Sequence, residues 1–330
     1  MSNNQKNEMN VQGGWPWVLM RLLGILCILL AVSLALYGLG DILSPNISIS
    51  YSILFVLPFS LGALIRLIRD PSGQGKTFHI FDAAWIVTVL ALGGIILREG
   101  VICIVMLAPL WIPSAMLGVY ATSFLQRKLR ERNKLSVSLI ALLPVLTGVI
   151  SDAPQRAVQY EVSRNIVVNA PAEQIWPLLK DMAEIKEDEG AWNISQDMLN
   201  VPRPTAAVVS GDGPGAVRHA SWQKDVSFEE HIFVWKENET MRWNFSFPND
   251  SVQRHTDRHI SPDGNHLKIL EGGYDFRSLD ADRTEVTLTT RYLVASPVNL
   301  YASLWGELLL GDIQTNVLAI IKSRAEGGVN

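Results

Sequence analysis

The sequence predicts an N-terminal all-α transmembrane bundle over residues 1–150, joined to a C-terminal α+β domain over 151–330 in which a curved antiparallel sheet surrounds a long last helix. Three observations predict it. Residues 1–150 hold 11 Lys and Arg against 6 Asp and Glu, whereas 151–330 hold 17 against 26, so a cationic half precedes an acidic one. Five apolar runs fall in the first half. The second half alternates polar and apolar residues over strand-length segments and closes on a helical period. With 48% hydrophobic residues, 18% charged and a mean hydropathy of +0.18, disorder, a collagen-like repeat and a small disulfide scaffold are excluded. The acidic balance of the second half argues against nucleic acid as its partner.

The apolar runs are Trp15–Gly40, Tyr51–Ile68, Phe81–Leu97, Val101–Leu125 and Leu135–Ile150. At about 1.5 Å per residue a helix needs about 20 residues to cross a bilayer, with about 17 as the lower end. The first and fourth runs exceed that length, and the second and third are short but sufficient. The fifth has 16 residues with Pro144 inside, so it crosses only with help from its flanks. The first run is longer than a signal-peptide core and lacks a small-x-small exit site, so it reads as an uncleaved anchor. Arg21 near its start can snorkel to the headgroups, and Trp15 and Trp17 suit the same interface.

Lys and Arg collect after the second run (Arg66, Arg69, Lys76) and after the fourth (Arg127, Lys128, Arg130, Arg132, Lys134), which assigns both loops and the N-terminus to the cytoplasm. The Gly40–Ser50 connection and the Arg98-Glu99-Gly100 turn then lie outside. A fifth run that crosses puts the C-terminal domain outside the cytoplasmic membrane. A fifth run that only dips in leaves it cytoplasmic. Cys27 and Cys103 both fall within apolar runs and the soluble half has no cysteine, so thiols do not decide the compartment.

From Ser151 onward, Tyr160–Asn169 reads as a strand and Pro171–Lys180 as a short helix with Asn169 as cap, Pro171 in the first turn and Pro177 as a kink. Strands follow at about Thr205–Ser210, Ala216–Gln223, Val226–Lys236, Thr240–Phe247, His266–Phe276 and Thr284–Val294. Turn signals such as Gly211-Asp-Gly-Pro-Gly215 and Pro262-Asp-Gly264 separate several of them. The final helix runs from Pro297 to about Glu326 and ends at Gly327-Gly328. Leu309, Leu310, Ile313, Val317, Ile320 and Ile321 form its apolar face. One core is buried most simply when the sheet curves around that helix.

The stretch Ile166-Val-Val-Asn-Ala-Pro-Ala-Glu-Gln-Ile-Trp-Pro-Leu-Leu179 resembles the strand-turn-helix opening of the START-like or SRPBCC helix-grip superfamily, which includes polyketide cyclase/dehydrase-like proteins. Gly213-Pro-Gly-Ala-Val-Arg218, Ser227-Phe-Glu-Glu-His-Ile-Phe-Val-Trp235 and the helix end Leu318–Glu326 are similar too. The resemblance covers about 159–328, and Pro177 departs from an uninterrupted first helix. It implies an apolar cavity that binds or transfers lipids, sterols or polyketide-like molecules, with some members being enzymes.

Strand parity selects candidates for that cavity. Met241, Trp243, Phe245 and Phe247 share one face, and Val286, Leu288, Thr290 and Tyr292 share another; ordinary core is the competing reading of both faces. Glu230 shares a face with Phe228, Ile232 and Val234, His231 with Phe233 and Trp235, so one of the two lines the cavity and parity does not choose between them. A buried carboxylate there could act as a general acid or base. Arg242 falls opposite Trp243 and faces solvent. His255-Thr-Asp-Arg-His259 reads as a polar loop, since in a strand two His four apart would stand about 13 Å from each other. No nucleotide-binding, nucleophile-elbow or zinc-helix signature occurs, so no cofactor and no metal is expected. The leading expectation is a membrane-tethered domain that binds, senses or transfers a lipid or other hydrophobic small molecule. A cyclase-like or hydrolytic enzyme in the same cavity and an accessory subunit docking on a membrane-protein partner are the alternatives.

Overall fold

The computed structural model describes residues 51–70, 80–97, 101–128, 155–255 and 261–327. The runs Trp15–Gly40 and Leu135–Ile150, on which the orientation argument depends, lie outside the described residues. The chain divides into two compact units, residues 1–97 with 107–152 and residues 98–106 with 153–330.

In the first unit a π-helical turn, Ser52–Val56, leads into α1 (Leu57–Arg69); α2 (Ile80–Leu97) and α3 (Val101–Lys128) follow, the first residues of α3 being grouped with the second unit. Leu57, Leu61, Leu64, Ile86, Val89 and Ala115 pack into a common cluster. Backbone approach is what brings α1 and α3 together: a Cβ on Gly118 would stand 1.9 Å from the carbonyl oxygen of Phe59. Small residues at the crossing are what allow the two backbones to approach this closely. Charges at the helix ends are paired, Arg66 with Asp70 at 2.8 Å and Arg69 with Asp82 at 3.2 Å.

Among the described residues three helices are long and apolar enough to cross a membrane, Ser52–Arg69, Val101–Lys128 and Asn299–Gly327; α2 offers the shorter apolar stretch Asp82–Leu92. The third of these packs on the sheet of the second unit. Length and mean hydropathy therefore do not separate a span from a core helix here, because both must be apolar over most of their surface.

The second unit holds β1 (Val158–Val168), α4 (Ala172–Lys180), β2 (Asp181–Met182), α5 (Ile194–Asp197), β3 (Pro204–Ser210), β4 (Val217–Trp222), β5 (Val226–Lys236), β6 (Thr240–Ser246), α6 (Ser251–His255), β7 (Leu267–Ser278), β8 (Thr284–Val294) and α7 (Asn299–Gly327). The eight strands form one curled antiparallel sheet in the order β1-β8-β7-β6-β5-β4-β3-β2, with α7 against it, which fits a helix-grip arrangement. Two strands, β5 and β8, have the bounds read from sequence.

Three short elements escape the sequence reading: β2, α5 and α6. Each is too short to show a period. Asn193 caps α5, its side-chain oxygen accepting from the Gln196 amide at 2.8 Å. The cap of α4 is Pro171, not Asn169, whose backbone N–H instead donates to Glu326 at 2.7 Å. His255 closes α6 rather than lying in a loop, and His259 falls outside the described residues.

The buried face of α7 also differs from the apolar stripe. Leu318, Ile320 and Ile321 are in the core together with polar Gln314 and Asn316, whereas Leu309, Leu310, Ile313 and Val317 stay half-buried. Three of those four, Leu310, Ile313 and Val317, face a cavity, which leaves them partly rather than fully buried.

Candidate functional site

Between the sheet, α4, α7 and the 183–203 segment lies a cavity of about 190 Å³. Its walls are almost wholly apolar. The exceptions are Arg218 and Glu230, which are its only charged lining residues among those described, with Tyr274, Gln314 and Thr290.

The strand pairing puts the charges together. β4 and β5 form a hairpin closed by Trp222 opposite Val226, and counting back along that register puts Arg218 directly across from Glu230. Cross-strand neighbours on one face have their Cβ atoms about 4.5–5.5 Å apart, close enough for the side chains to meet. The Arg218 Nε donates to Glu230 Oε2, and its Nη1 donates to the Leu179 carbonyl oxygen at 3.3 Å. The guanidinium carbon sits 4.5 Å from the ring centroid of Trp243 and 5.4 Å from that of Tyr274. Arg218 and Glu230 are 5% and 6% exposed, so both charges have left bulk water. Burial is the largest influence and works against the Arg218 charge, but the Glu230 carboxylate and the Tyr274 phenol together hold the guanidinium above its ordinary pKa. Burial, aided by Glu230, pushes the Tyr274 phenol up and keeps it neutral, while Arg218 acts in the opposite sense.

Room for Trp243 is made by β7. Trp243 lies opposite Gly272, and a Cβ there would come within 2.6 Å of the indole. The ring covers the strand where the glycine leaves the sheet bare, and Trp243 itself is 2% exposed.

Of the residues read from sequence as cavity candidates, Glu230, Trp243, Phe245, Phe247, Leu288 and Thr290 line the cavity. Met241 and Val286 share their strand faces with lining residues but pack in the main core beyond the cavity. Tyr292 belongs to a separate cluster, stacked on Tyr160 at 5.8 Å between centroids. Parity selects a face, whereas position along the strand decides whether that face meets core or cavity. His231 is a correction: it points outward, half exposed, with Nε2 3.0 Å from Glu229. The β5 register shifts between Ile232 and Val234, and this bulge explains the ambiguity. Glu230 and Ile232 face in on one side of it, and Trp235, of opposite parity, packs edge-on against Trp176 on the other. Arg242, read as solvent-facing, is about one-third exposed and pairs with Asp275 at 2.6 Å.

Sequence reasoning did not single out Arg218, Tyr274 or Gln314 as cavity residues. The hairpin register would have found Arg218, because a turn centred on Lys224 aligns it with Glu230. Nothing local marks Gln314, a buried polar residue on an otherwise apolar stripe. Among the described residues no cluster of three His, Cys, Asp or Glu could hold a metal ion.

Neither protein-family models nor curated proteins match the chain. Solved structures that resemble it include the Zhui aromatase/cyclase from a Streptomyces species, at 15% identity over 52% of this chain and 97% of that one with a TM-score of 0.35. Norcoclaurine synthase from Thalictrum flavum aligns at 13% identity over 52% of this chain and 88% of that one, TM-score 0.34. A Thermobifida fusca protein solved by NMR aligns at 19% over 50% and 95%, TM-score 0.30. Likeness at this level transfers no activity and no residue role.

Proposed function

We propose that this protein binds a hydrophobic small molecule or lipid in the cavity of its C-terminal domain, beside the bilayer in which its apolar helices sit. The observation that carries the reading is an apolar cavity of about 190 Å³ interrupted by a single buried Arg–Glu pair. An apolar enclosure with a few convergent polar groups is the usual form of a small-molecule site. Helices Ser52–Arg69 and Val101–Lys128 support the membrane part. Anchoring would hold the domain where apolar ligands are concentrated.

The test is mass spectrometry of small molecules that co-purify with the full chain in nanodiscs, against the variant Ala220→Phe, which places a ring in the cavity wall. A defined species lost in a folded variant supports binding. Equal recovery from both proteins refutes it. We further propose that the domain faces outward from the cytoplasmic membrane. Protease added to intact spheroplasts should then remove the domain; protection until the membrane is opened refutes that orientation.

A further inference from the structure

The first turns of α3, grouped with the second unit, pack into it: Ile102, Cys103 and Met106 cluster with Leu199, Val201 and Leu309, and the Tyr301 hydroxyl donates to the Met106 carbonyl oxygen at 2.5 Å. Beside this cluster the apolar surface continues into the open. Leu300 and Leu304, one turn apart on α7, are 75% and 63% exposed, Met198 directly after α5 is 65% exposed, and Val101 on α3 is 59% exposed. The same stretches carry almost no charge. Residues 101–113 hold none, residues 191–202 only Asp197 and residues 299–311 only Glu307. Both carboxylates are paired with arginine, Asp197 with Arg203 at 2.7 Å and Glu307 with Arg164 at 2.8 Å.

Resting on the membrane anchoring proposed above, we infer that this face of the C-terminal domain lies on the bilayer surface, with Leu300, Leu304 and Met198 inserted at the boundary between headgroups and acyl chains. The face is continuous with α3, which from Val101 to Lys128 is long and apolar enough to cross a membrane. A span that starts inside the cluster sets the cluster at the level of the bilayer surface, because Met106 is only about 7 Å along the helix from Val101. A large exposed apolar patch calls for a partner, and lipid suits one whose few charges are already neutralised in pairs. Tyr301 and Trp305, with ring centroids 6.4 Å apart, add the aromatic side chains that favour the headgroup level. The domain then stands at the Val101 end of α3, opposite Arg127 and Lys128, as an outward-facing domain requires. Val201 and Ile313 belong both to this cluster and to the cavity wall, so the docked face is a side from which lipid and cavity are one layer of side chains apart.

Site-directed spin labelling of the full chain in nanodiscs tests this, with Cys27→Ala and Cys103→Ala as background and Leu300→Cys, Leu304→Cys or Met198→Cys as the single labelled site. Accessibility to oxygen, which concentrates in lipid, is compared with accessibility to a water-soluble nickel chelate. Leu117→Cys, at an exposed position well inside α3, is the lipid reference, and Glu237→Cys, in the turn between β5 and β6, is the aqueous one. The three labels are expected to give oxygen-to-nickel ratios well above that of Glu237→Cys and to lie about 5–10 Å into the headgroup and acyl boundary. Leu300→Glu with Leu304→Glu should bring the ratio at Met198→Cys down to the aqueous reference; an unchanged ratio overturns the part given to α7. Three aqueous labels beside a lipid-exposed Leu117→Cys overturn the docking and leave the membrane reading standing. An aqueous Leu117→Cys overturns the membrane reading, and the docking with it. Labels closed to both reagents mean that another segment of the chain or a second copy covers the face, which overturns lipid contact.

Discussion

Replacing Arg218 by Met tests the energetic basis of the cavity, because the substitution keeps an unbranched apolar stem while removing the guanidinium with its charge and donors. Glu230, 6% exposed, would lose its counter-charge while staying enclosed by Trp243, Phe245 and Tyr274. Breaking a buried pair from one side costs about 3–5 kcal/mol, whereas replacing both members with apolar groups of similar volume is close to neutral or stabilising by about 1–4 kcal/mol. Arg218→Met should therefore destabilise the C-terminal domain strongly, and Arg218→Met with Glu230→Leu should restore most of the loss. At about 2–4 °C per kcal/mol for a domain of this size, the single variant should melt about 6–20 °C lower. Near-ultraviolet circular dichroism of the purified chain during heating would follow the transition through the buried Trp176 and Trp243. A single variant within about 1 kcal/mol of the parent, or a double variant as unstable as the single, refutes the account of a buried, mutually dependent pair.

Three further expectations follow from particular contacts. Gly272→Ala places a methyl 2.6 Å from the Trp243 indole and should cost about 1–3 kcal/mol, with altered tryptophan emission; unchanged melting and emission would contradict the packing. Gly118→Leu should separate α1 from α3, measured as loss of a disulfide engineered between the two helices, since even a Cβ there meets the Phe59 carbonyl oxygen. The hydrogen bond from Arg324 holds the Glu189 carboxyl below its ordinary 4.5, tying the 183–203 segment to α7. That tether is present above the ordinary value and lost as pH falls through the lowered one, so amide exchange in 183–203 should accelerate below about pH 4.5 and lose that dependence in Glu189→Gln.

Alternation made the strands legible, because an antiparallel sheet with one face on a helix repeats every second residue; β5 and β8 were bounded correctly for that reason. The same rule puts Trp243 and Leu288 on inward faces, where both line the cavity, and leaves Glu230 and His231 undecided, since one bulge reverses parity along β5. Met241, Val286 and Tyr292 show the other limit. They obey the alternation, yet their place along the strand puts them in solid core. Arg218 and Tyr274 reach the cavity from strands distant in sequence, a meeting governed by register and by the curl of the sheet.

Composition and periodicity are local properties of the chain, so they were enough to reveal two halves of opposite charge and different hydropathy, the strand-rich character of the second half and its long closing helix. Only the tertiary structure decided which apolar face encloses empty space, which of two adjacent side chains turns inward, and that Arg218 meets Glu230 while Gln314 keeps an unpaired oxygen. Cavities and pairings of this kind depend on how elements far apart in sequence pack together, and no window of neighbouring residues contains that information.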